Sequence, residues 1–188
     1  MSLSPSNTQF PNISWIDVET TGIKVEDGNK LLEVACLVTD TNLNILDEVG
    51  YTAVIAYSPE EVSKMYKATV PFVQDMHTQT NLWGRISTQG KPVSQVDTEL
   101  QEYLAQFTKP QESHLGGNSI TLDRNFLEAF LPESFNHIRY QSVDVSSIAA
   151  VANWWYGEKF TKQYTHSALA DIKESIAELQ YLRGKVFR

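Results

Sequence analysis

Apolar and polar positions along this chain predict alternating strands and helices. After a polar arm over residues 1–12 that carries Pro5 and Pro11, Ile13, Trp15, Ile16 and Val18 form a short β-like run ending at Thr20-Thr21-Gly22. A continuous apolar stretch from Leu31 to Thr39 predicts a second strand. Asp40-Thr41-Asn42-Leu43-Asn44 has turn chemistry, and Ile45 to Ala56 predicts a third strand in a hairpin with the second. From Ser58 to Gly90 the pattern is irregular, with short helical stretches between Pro59, Pro71, Gly84 and Gly90. Helical spacing returns with Val93, Val96, Leu100, Leu104 and Phe107. A short strand leads into Gly116-Gly117-Asn118-Ser119, followed by a helix through Leu122, Phe126, Leu127, Phe130 and Leu131 that ends near Pro132. Tyr140 to Val145 predicts another short strand. Val145, Ile148, Ala149, Ala152 and Trp155 predict a helix that stops near Gly157. The closing helix carries Leu169, Ile172, Ile176 and Leu179 and runs to Arg183, before Gly184. This order implies an α/β layer structure in which an antiparallel hairpin meets parallel strands.

The length of 188 residues fits one domain over 13–188 behind a flexible arm over 1–12. Hydrophobic residues make up 41% of the chain, and no run reaches the roughly 18 apolar residues of a membrane span. The first 23 residues hold no Lys or Arg and no continuous apolar core, so neither a secretory signal nor a transit peptide is expected. One cysteine, Cys36, offers no disulfide and fits a reducing, cytoplasmic setting. Charge narrows the function further. With 15 basic residues against 23 acidic, a net charge of −8 disfavours a binder of long duplex nucleic acid, which needs a basic face. An acidic protein can still act on nucleic acid by bringing cations to the phosphate or by holding only a few phosphates at once.

The acids supply the candidate chemistry. Asp17 and Glu19 stand two apart on a predicted strand, so their side chains share a face. Two neighbouring carboxylates repel unless they are exposed, protonated or bound to cations. An exposed acidic strand end also fits this pattern, although Ile13, Trp15, Ile16 and Val18 suggest a buried strand. Asp123 falls early in its predicted helix, where it also suits the helix dipole. His166 precedes the last helix, and Asp171 follows five residues later, about one turn into it. Alone, His166 reads as an ordinary histidine and Asp171 as a solvated surface acid. His77, His114 and His137 read as structural. Taken together, the four acids and His166 make a complete set for metal-assisted phosphodiester hydrolysis. Oxygen ligands suit two divalent cations, Mg²⁺ or Mn²⁺, and a histidine of near-neutral pKa can take a proton from water.

Asp17-Val18-Glu19-Thr20-Thr21-Gly22 resembles the first motif of the DEDD superfamily of 3′-to-5′ exonucleases. His166 to Asp171 resembles the third motif of its histidine-containing branch. Longer stretches are similar to the oligoribonuclease family. They are Leu32 to Ala35, Val38 to Leu46, Gly117 to Ile120 with Asp123-Arg124 and Phe126-Leu127, Val143 to Ser146, and Phe160 to Gln163 with Thr165-His166 and Asp171 to Leu179. The resemblance implies an RNase H-like exonuclease fold, a mixed five-stranded sheet flanked by helices. It also implies a homodimer that releases mononucleotides from the 3′ end of very short RNAs, dinucleotides especially. In that family Asp17, Glu19, Asp123 and Asp171 match the metal-binding acids, and His166 matches the general base. Ile23 stands where a Leu usually wedges between bases. Phe72 stands where a Trp usually stacks on one, and His77 matches a histidine near substrate. Ser119, Ser146 and Ser147 match polar groups that cap the 5′ end, with Ser147 in place of the usual Thr. Tyr140 matches a tyrosine that reaches the partner's active site.

Gln141 departs from the pattern, because an Arg is expected there; Arg139, two residues away, replaces it only if the backbone shifts. A glutamine cannot reproduce a guanidinium's bidentate phosphate bonds, a loss worth about 1.5–3 kcal/mol. Preference for a 5′-phosphorylated dinucleotide should therefore weaken, and the smaller ring of Phe72 points the same way. Three other readings compete. A DNA exonuclease of the superfamily would share the motifs, but not the longer stretches. A noncatalytic RNA-binding domain should have lost at least one of the five residues. A structural Ca²⁺ site would need loop spacing that these scattered acids lack. The Trp154-Trp155-Tyr156 cluster reads as core or dimer interface sooner than as a base-stacking platform.

Overall fold

The structure, a computed structural model, describes residues 11–162 and 167–187. Its centre is strand β1 (Ile13–Thr20). On one side lie β2 (Leu31–Thr39) and β3 (Tyr51–Val54), each antiparallel to its neighbour. On the other side β4 (His114–Gly117) and β5 (Ser142–Asp144) run parallel, giving the order β3-β2-β1-β4-β5. The expected mixed five-stranded sheet, with its hairpin and parallel edge, is therefore observed.

Strand alternation sorts the two faces. Ile16, Val18, Val34, Cys36 and Val38 join a core that includes Val96, Leu100 and Leu104 of α4 (Val93–Ala105) and Phe126 and Leu127 of α5 (Thr121–Phe130). Ile13, Trp15, Ala35 and Leu37 face the other way. They pack with Val145 of α7 (Val145–Tyr156) and with Ile172, Ile176 and Leu179 of α8 (Ala168–Val186). Each large apolar side chain removed from water contributes roughly 1.5–3 kcal/mol. Trp15, fully buried, donates its indole N–H to Thr39 Oγ1 at 2.9 Å. Across β4, a Cβ at Gly116 would stand 2.9 Å from the Trp15 ring, so this close approach of strand to ring requires glycine.

The irregular stretch resolves into α1 (Pro59–Ala68), α2 (Pro71–Gln79) and α3 (Leu82–Gln89). Ser58 and Glu61 close a capping box at the start of α1, and Pro59 and Pro71 open their helices where a missing N–H costs nothing. Leu82 and Ile86 dock α3 on Leu32 and Val54. A short α6 (Pro132–His137) follows α5, and Asp97 accepts from the backbone N–H groups of Glu133 and Ser134 at its N-terminus, each at 2.9 Å.

Three expectations are corrected. The third strand does not span 45–56 but only Tyr51–Val54, and Ile45 makes an isolated bridge to Thr39. The Asp47 carboxylate accepts from the N–H groups of Val49 and Gly50, and Gly50 turns the chain at φ 71°. The last helix continues past Arg183 through Gly184 to Val186. A Cβ at Gly184 would meet nothing, so there the glycine does not mark a C-cap. Finally, Trp154, Trp155 and Tyr156 are not core of this chain: they are 72%, 72% and 61% exposed at the end of α7. No helix among the described residues is long and apolar enough to cross a membrane.

Candidate active site

The face of β1 that buries Ile13 and Trp15 continues into Asp17 and Glu19. The apolar floor thus gives way to two acids near the C-terminal end of the strand. Helix α8 lies over that end through Ala168 and Ile172, and this packing brings Asp171, in its first turn, onto the acids. One carboxylate oxygen each from Asp17, Glu19 and Asp171 lies within 4.8 Å of the others. Asp123 enters from the first turn of α5. Strand β4 pairs with β1 only as far as Trp15, and beyond that point the free N–H of Val18 donates to Asp123 Oδ1 at 3.0 Å. Asp123 is 5% exposed and stands beside Asp17, outside the three-oxygen cluster. The acids drawn from opposite ends of the sequence therefore converge. His166 lies outside the described residues.

Burial penalises the charged forms of Asp17, Glu19 and Asp123. Burial first, then the charges of Asp123, Glu19, Asp171 and Glu33, raise Asp17 well above the usual carboxylate range. Burial first, then Glu33, Asp171 and Asp123, push Glu19 from an ordinary 4.5 to about 8, with Arg85 acting in the opposite sense. Burial pushes Asp123 to about 7 against the lowering effect of its backbone hydrogen bonds. Buried Asp97, outside this cluster, accepts two backbone N–H bonds and the Ser134 hydroxyl at 2.8 Å. Among the described residues, the Asp17 carboxylate receives no hydrogen bond. A crowded, all-carboxylate donor set is the chemistry that hard divalent cations satisfy.

The histidine and the hairpin partner complete the surroundings. His77 is 1% exposed, its Nε2 donates to the Thr20 carbonyl at 2.8 Å, and its Nδ1 lies 3.8 Å from Glu19 Oε2. Trp83 packs edge-on against the imidazole. His77 is thus buried against Glu19 and the end of β1. Directly across the hairpin from Glu19 is Glu33, whose two oxygens accept from Arg85 of α3 at 2.6 and 2.9 Å. The sequence reading assigned no role to this pair. One signal was available: Glu33 is the only charged residue in the otherwise apolar β2.

Beyond Asp123, the turn after β4 and the start of α7 meet. Asp144 caps α7 by accepting from Ser146 N–H at 2.9 Å, and it also accepts from Ser119 N–H at 3.1 Å. This holds Ser119 in the left-handed region, φ 53°, with its hydroxyl 3.2 Å from that of Ser146. Asn118 donates to Ser146 Oγ and to Glu178, which Lys162 pairs at 2.9 Å. The spacing had not revealed this last link, which ties the turn to α8. A cavity of about 430 Å³ opens against Ser119 and Ser146. Ser147 is exposed on the next position of α7. Ile23 and Phe72 are 74% and 72% exposed, and Tyr140 is 75% exposed beside the exposed Gln141. Arg139, two residues before Gln141, is held in place by its neighbours. Its backbone N–H is tied to Ser113, and its side chain lies near enough to His114 to add to the lowering that burial imposes on that histidine's pKa.

A mixed sheet of this order, with acids gathered at the end of its central strand, defines a nuclease hydrolase of the exonuclease class. The family model described as RNase T, exonuclease, matches residues 14–179. An oligoribonuclease of Francisella tularensis is 36% identical over 93% of this chain and 96% of its own length. The mitochondrial oligoribonuclease of Bos taurus is 33% identical over 100% of this chain and 78% of its own. The chain belongs to the oligoribonuclease family. Its fold is also that of exonuclease I: a zinc-bound complex of the E. coli enzyme with single-stranded DNA superposes with a TM-score of 0.70 at 14% identity, over 94% of this chain. This chain spans only 41% of that larger protein. The exonuclease fold implies divalent metal ions, and the Asp17, Glu19 and Asp171 cluster is a donor set that fits them.

Proposed function

We propose that this chain is a 3′-to-5′ exoribonuclease that hydrolyses short single-stranded RNA, dinucleotides included, to mononucleotides with two divalent cations. The observation that carries the reading is the convergence of Asp17, Glu19 and Asp171 within 4.8 Å, with Asp123 alongside, in a chain of this family. Asp17, Glu19, Asp123 and Asp171 would hold Mg²⁺ or Mn²⁺. Bound there, the cations supply Lewis-acid stabilisation of the attacking and leaving oxygens of an in-line displacement.

The chain's own residues do the rest. His166 takes the proton of the attacking water as its oxygen bonds to phosphorus, and the P–O3′ bond breaks, the departing O3′ taking a proton from solvent as the terminal mononucleotide is released. Ile23 wedges between bases and Phe72 stacks on one, and both side chains are exposed. His77 stiffens the strand end by holding the Thr20 carbonyl. Ser119, Ser146 and Ser147 receive the 5′ end of a short substrate, and Gln141 leaves that cap weaker than a guanidinium would. Tyr140 and the exposed aromatic end of α7 fit a homodimer in which one protomer's Tyr140 reaches its partner's site. One exonuclease domain over 13–188 carries the activity behind an N-terminal arm. The single, buried Cys36 is consistent with a reducing compartment such as the cytoplasm.

The test is a product ladder from 5′-labelled RNAs of graded length. Stepwise shortening from the 3′ end with Mg²⁺ or Mn²⁺, abolished by EDTA, supports the reading. Internal cleavage, or shortening that survives EDTA, refutes it.

A further inference from the structure

Glu33 is a fifth acid at this site. It pairs with Glu19 in the β1–β2 register, and opposed residues of an antiparallel pair share a face. Ala35 and Leu37, two and four residues along β2, pack on that same face. The Glu33 side chain is 5% exposed, so solvent cannot compensate its charge. Helix α3 does so instead. Leu82 and Ile86 are buried against Leu32 and Val54, and that anchoring aims the intervening Arg85 at Glu33. The guanidinium meets both oxygens, at 2.6 and 2.9 Å, in the planar fork that binds carboxylate most strongly.

The charges then separate into two sets. Asp17, Glu19, Asp123 and Asp171 bring four negative charges when ionised, which two divalent cations would balance. Glu33 and Arg85 balance each other. We infer that Arg85, by occupying both carboxylate oxygens of Glu33, keeps this fifth acid from ligating the divalent cations and so sets how many carboxylates the site offers them. This rests on the metal-dependent nuclease reading. An extra carboxylate would hold a hard cation more tightly, but it would displace a water or a substrate phosphate oxygen that hydrolysis needs. Arg85 is thus a positioning residue for the ligand set, acting through Glu33 without touching substrate.

The experiment compares the parent with Arg85→Gln and with the double variant Arg85→Gln/Glu33→Gln. Mn²⁺ affinity is measured by calorimetry on substrate-free protein, and turnover on a short RNA. Arg85→Gln should bind Mn²⁺ more tightly by about tenfold while its turnover falls by about 10–100-fold, the range seen when groups behind metal ligands are lost. The double variant, which removes the released acid as well, should return both quantities toward the parent's. Unchanged or weakened Mn²⁺ binding in Arg85→Gln overturns the inference, because Arg85 would then serve only to pack α3. A double variant that folds by circular dichroism yet has lost Mn²⁺ affinity also overturns it, whether or not Arg85→Gln folds, since Glu33 would then be a ligand. If the parent binds Mn²⁺ but releases no mononucleotide from RNA, the proposed function fails, while the calorimetric comparison still decides the role of Arg85.

Discussion

Glu19 places function against stability, and replacing it by glutamine separates the two. The carboxyl is buried among other acids, and its pKa stands at about 8 instead of the ordinary 4.5. Each unit of such a rise corresponds to about 1.4 kcal/mol, so ionised Glu19 costs the metal-free fold on the order of a few kcal/mol. The sign follows from linkage. Because the folded value lies above the unfolded one, the stability of the neutral acid is fully present below about pH 4.5 and is lost as pH rises through about 8. Glu19→Gln keeps the shape and has no such loss. If about 2 kcal/mol survives relaxation and water entry, the variant should melt about 4–8 °C above the parent at pH 9 without divalent cation. Near pH 4.5 the two should coincide. Adding Mn²⁺ should reverse the order, because only the parent gains the full binding energy of the cation, and turnover of RNA should be lost in the variant. Calorimetric melts at several pH values, with EDTA and with Mn²⁺, read all of this. A variant that melts below the parent at pH 9 in EDTA, or a gap that does not change with pH, would refute the assignment of Glu19 as a buried, cation-seeking acid.

Asp171 projects from the first turn of α8 into the cluster, so Asp171→Asn should leave the far-ultraviolet spectrum intact while lowering RNA turnover by at least about a hundredfold; surviving activity would dismiss the cation assignment. Gln141→Arg should raise the preference for a 5′-phosphorylated dinucleotide over a seven-residue RNA by about tenfold or more, since a charged, forked donor is restored. A sharp dinucleotide preference already present in the parent, and abolished by Gln141→Ala, would contradict that argument. Glutamates at Trp154 and Trp155, each 72% exposed, should shift sedimentation from dimer to monomer with little change in melting temperature. A parent that sediments as a monomer would remove the dimer. Short RNA should outcompete DNA of equal length, as read by product release from a labelled RNA, if the sugar's 2′-OH is recognised; equal competition would favour a DNA exonuclease.

Much of this arrangement was legible in the sequence because it is written locally. A short β-like run marked β1, the apolar run marked β2, and three-four spacing marked α4, α5, α7 and α8. The acids were legible because their motifs fix which strand or first helical turn carries each of them. What escaped notice depends on encounters between distant segments. The Ile45–Ala56 run shrinks to Tyr51–Val54 because Asp47 diverts two amide hydrogens, a competition that propensity alone does not reveal. Gly184 stays helical because nothing crowds it, although glycine at that point read as a stop. The Arg85–Glu33 fork spans 52 residues, and the tie from Asn118 to Glu178 spans 60. The first leaves no local pattern beyond a single acid in an apolar strand, and the second none, because Glu178 is one of three acids on α8.

The same long-range electrostatics explains how a chain of net charge −8 can handle a polyanion. A basic track gains affinity by displacing counterions from many phosphates, and an RNA of two or three residues has few to displace. Repulsion between Asp17, Glu19, Asp123 and Asp171 makes their site a strong acceptor of cations, which once bound would turn its local field from repelling to attracting phosphate. The remaining acidity of the surface then disfavours long RNA, whose distal phosphates would meet it without compensation, while a short substrate ends before that cost accumulates. Length selection would thus arise partly from charge and not only from the proposed serine cap. Raising the salt should therefore narrow the rate difference between short and long RNAs, because screening weakens the distal repulsion more than the contacts at the buried cation site. A difference that is unaffected by ionic strength would leave the cap alone as the ruler.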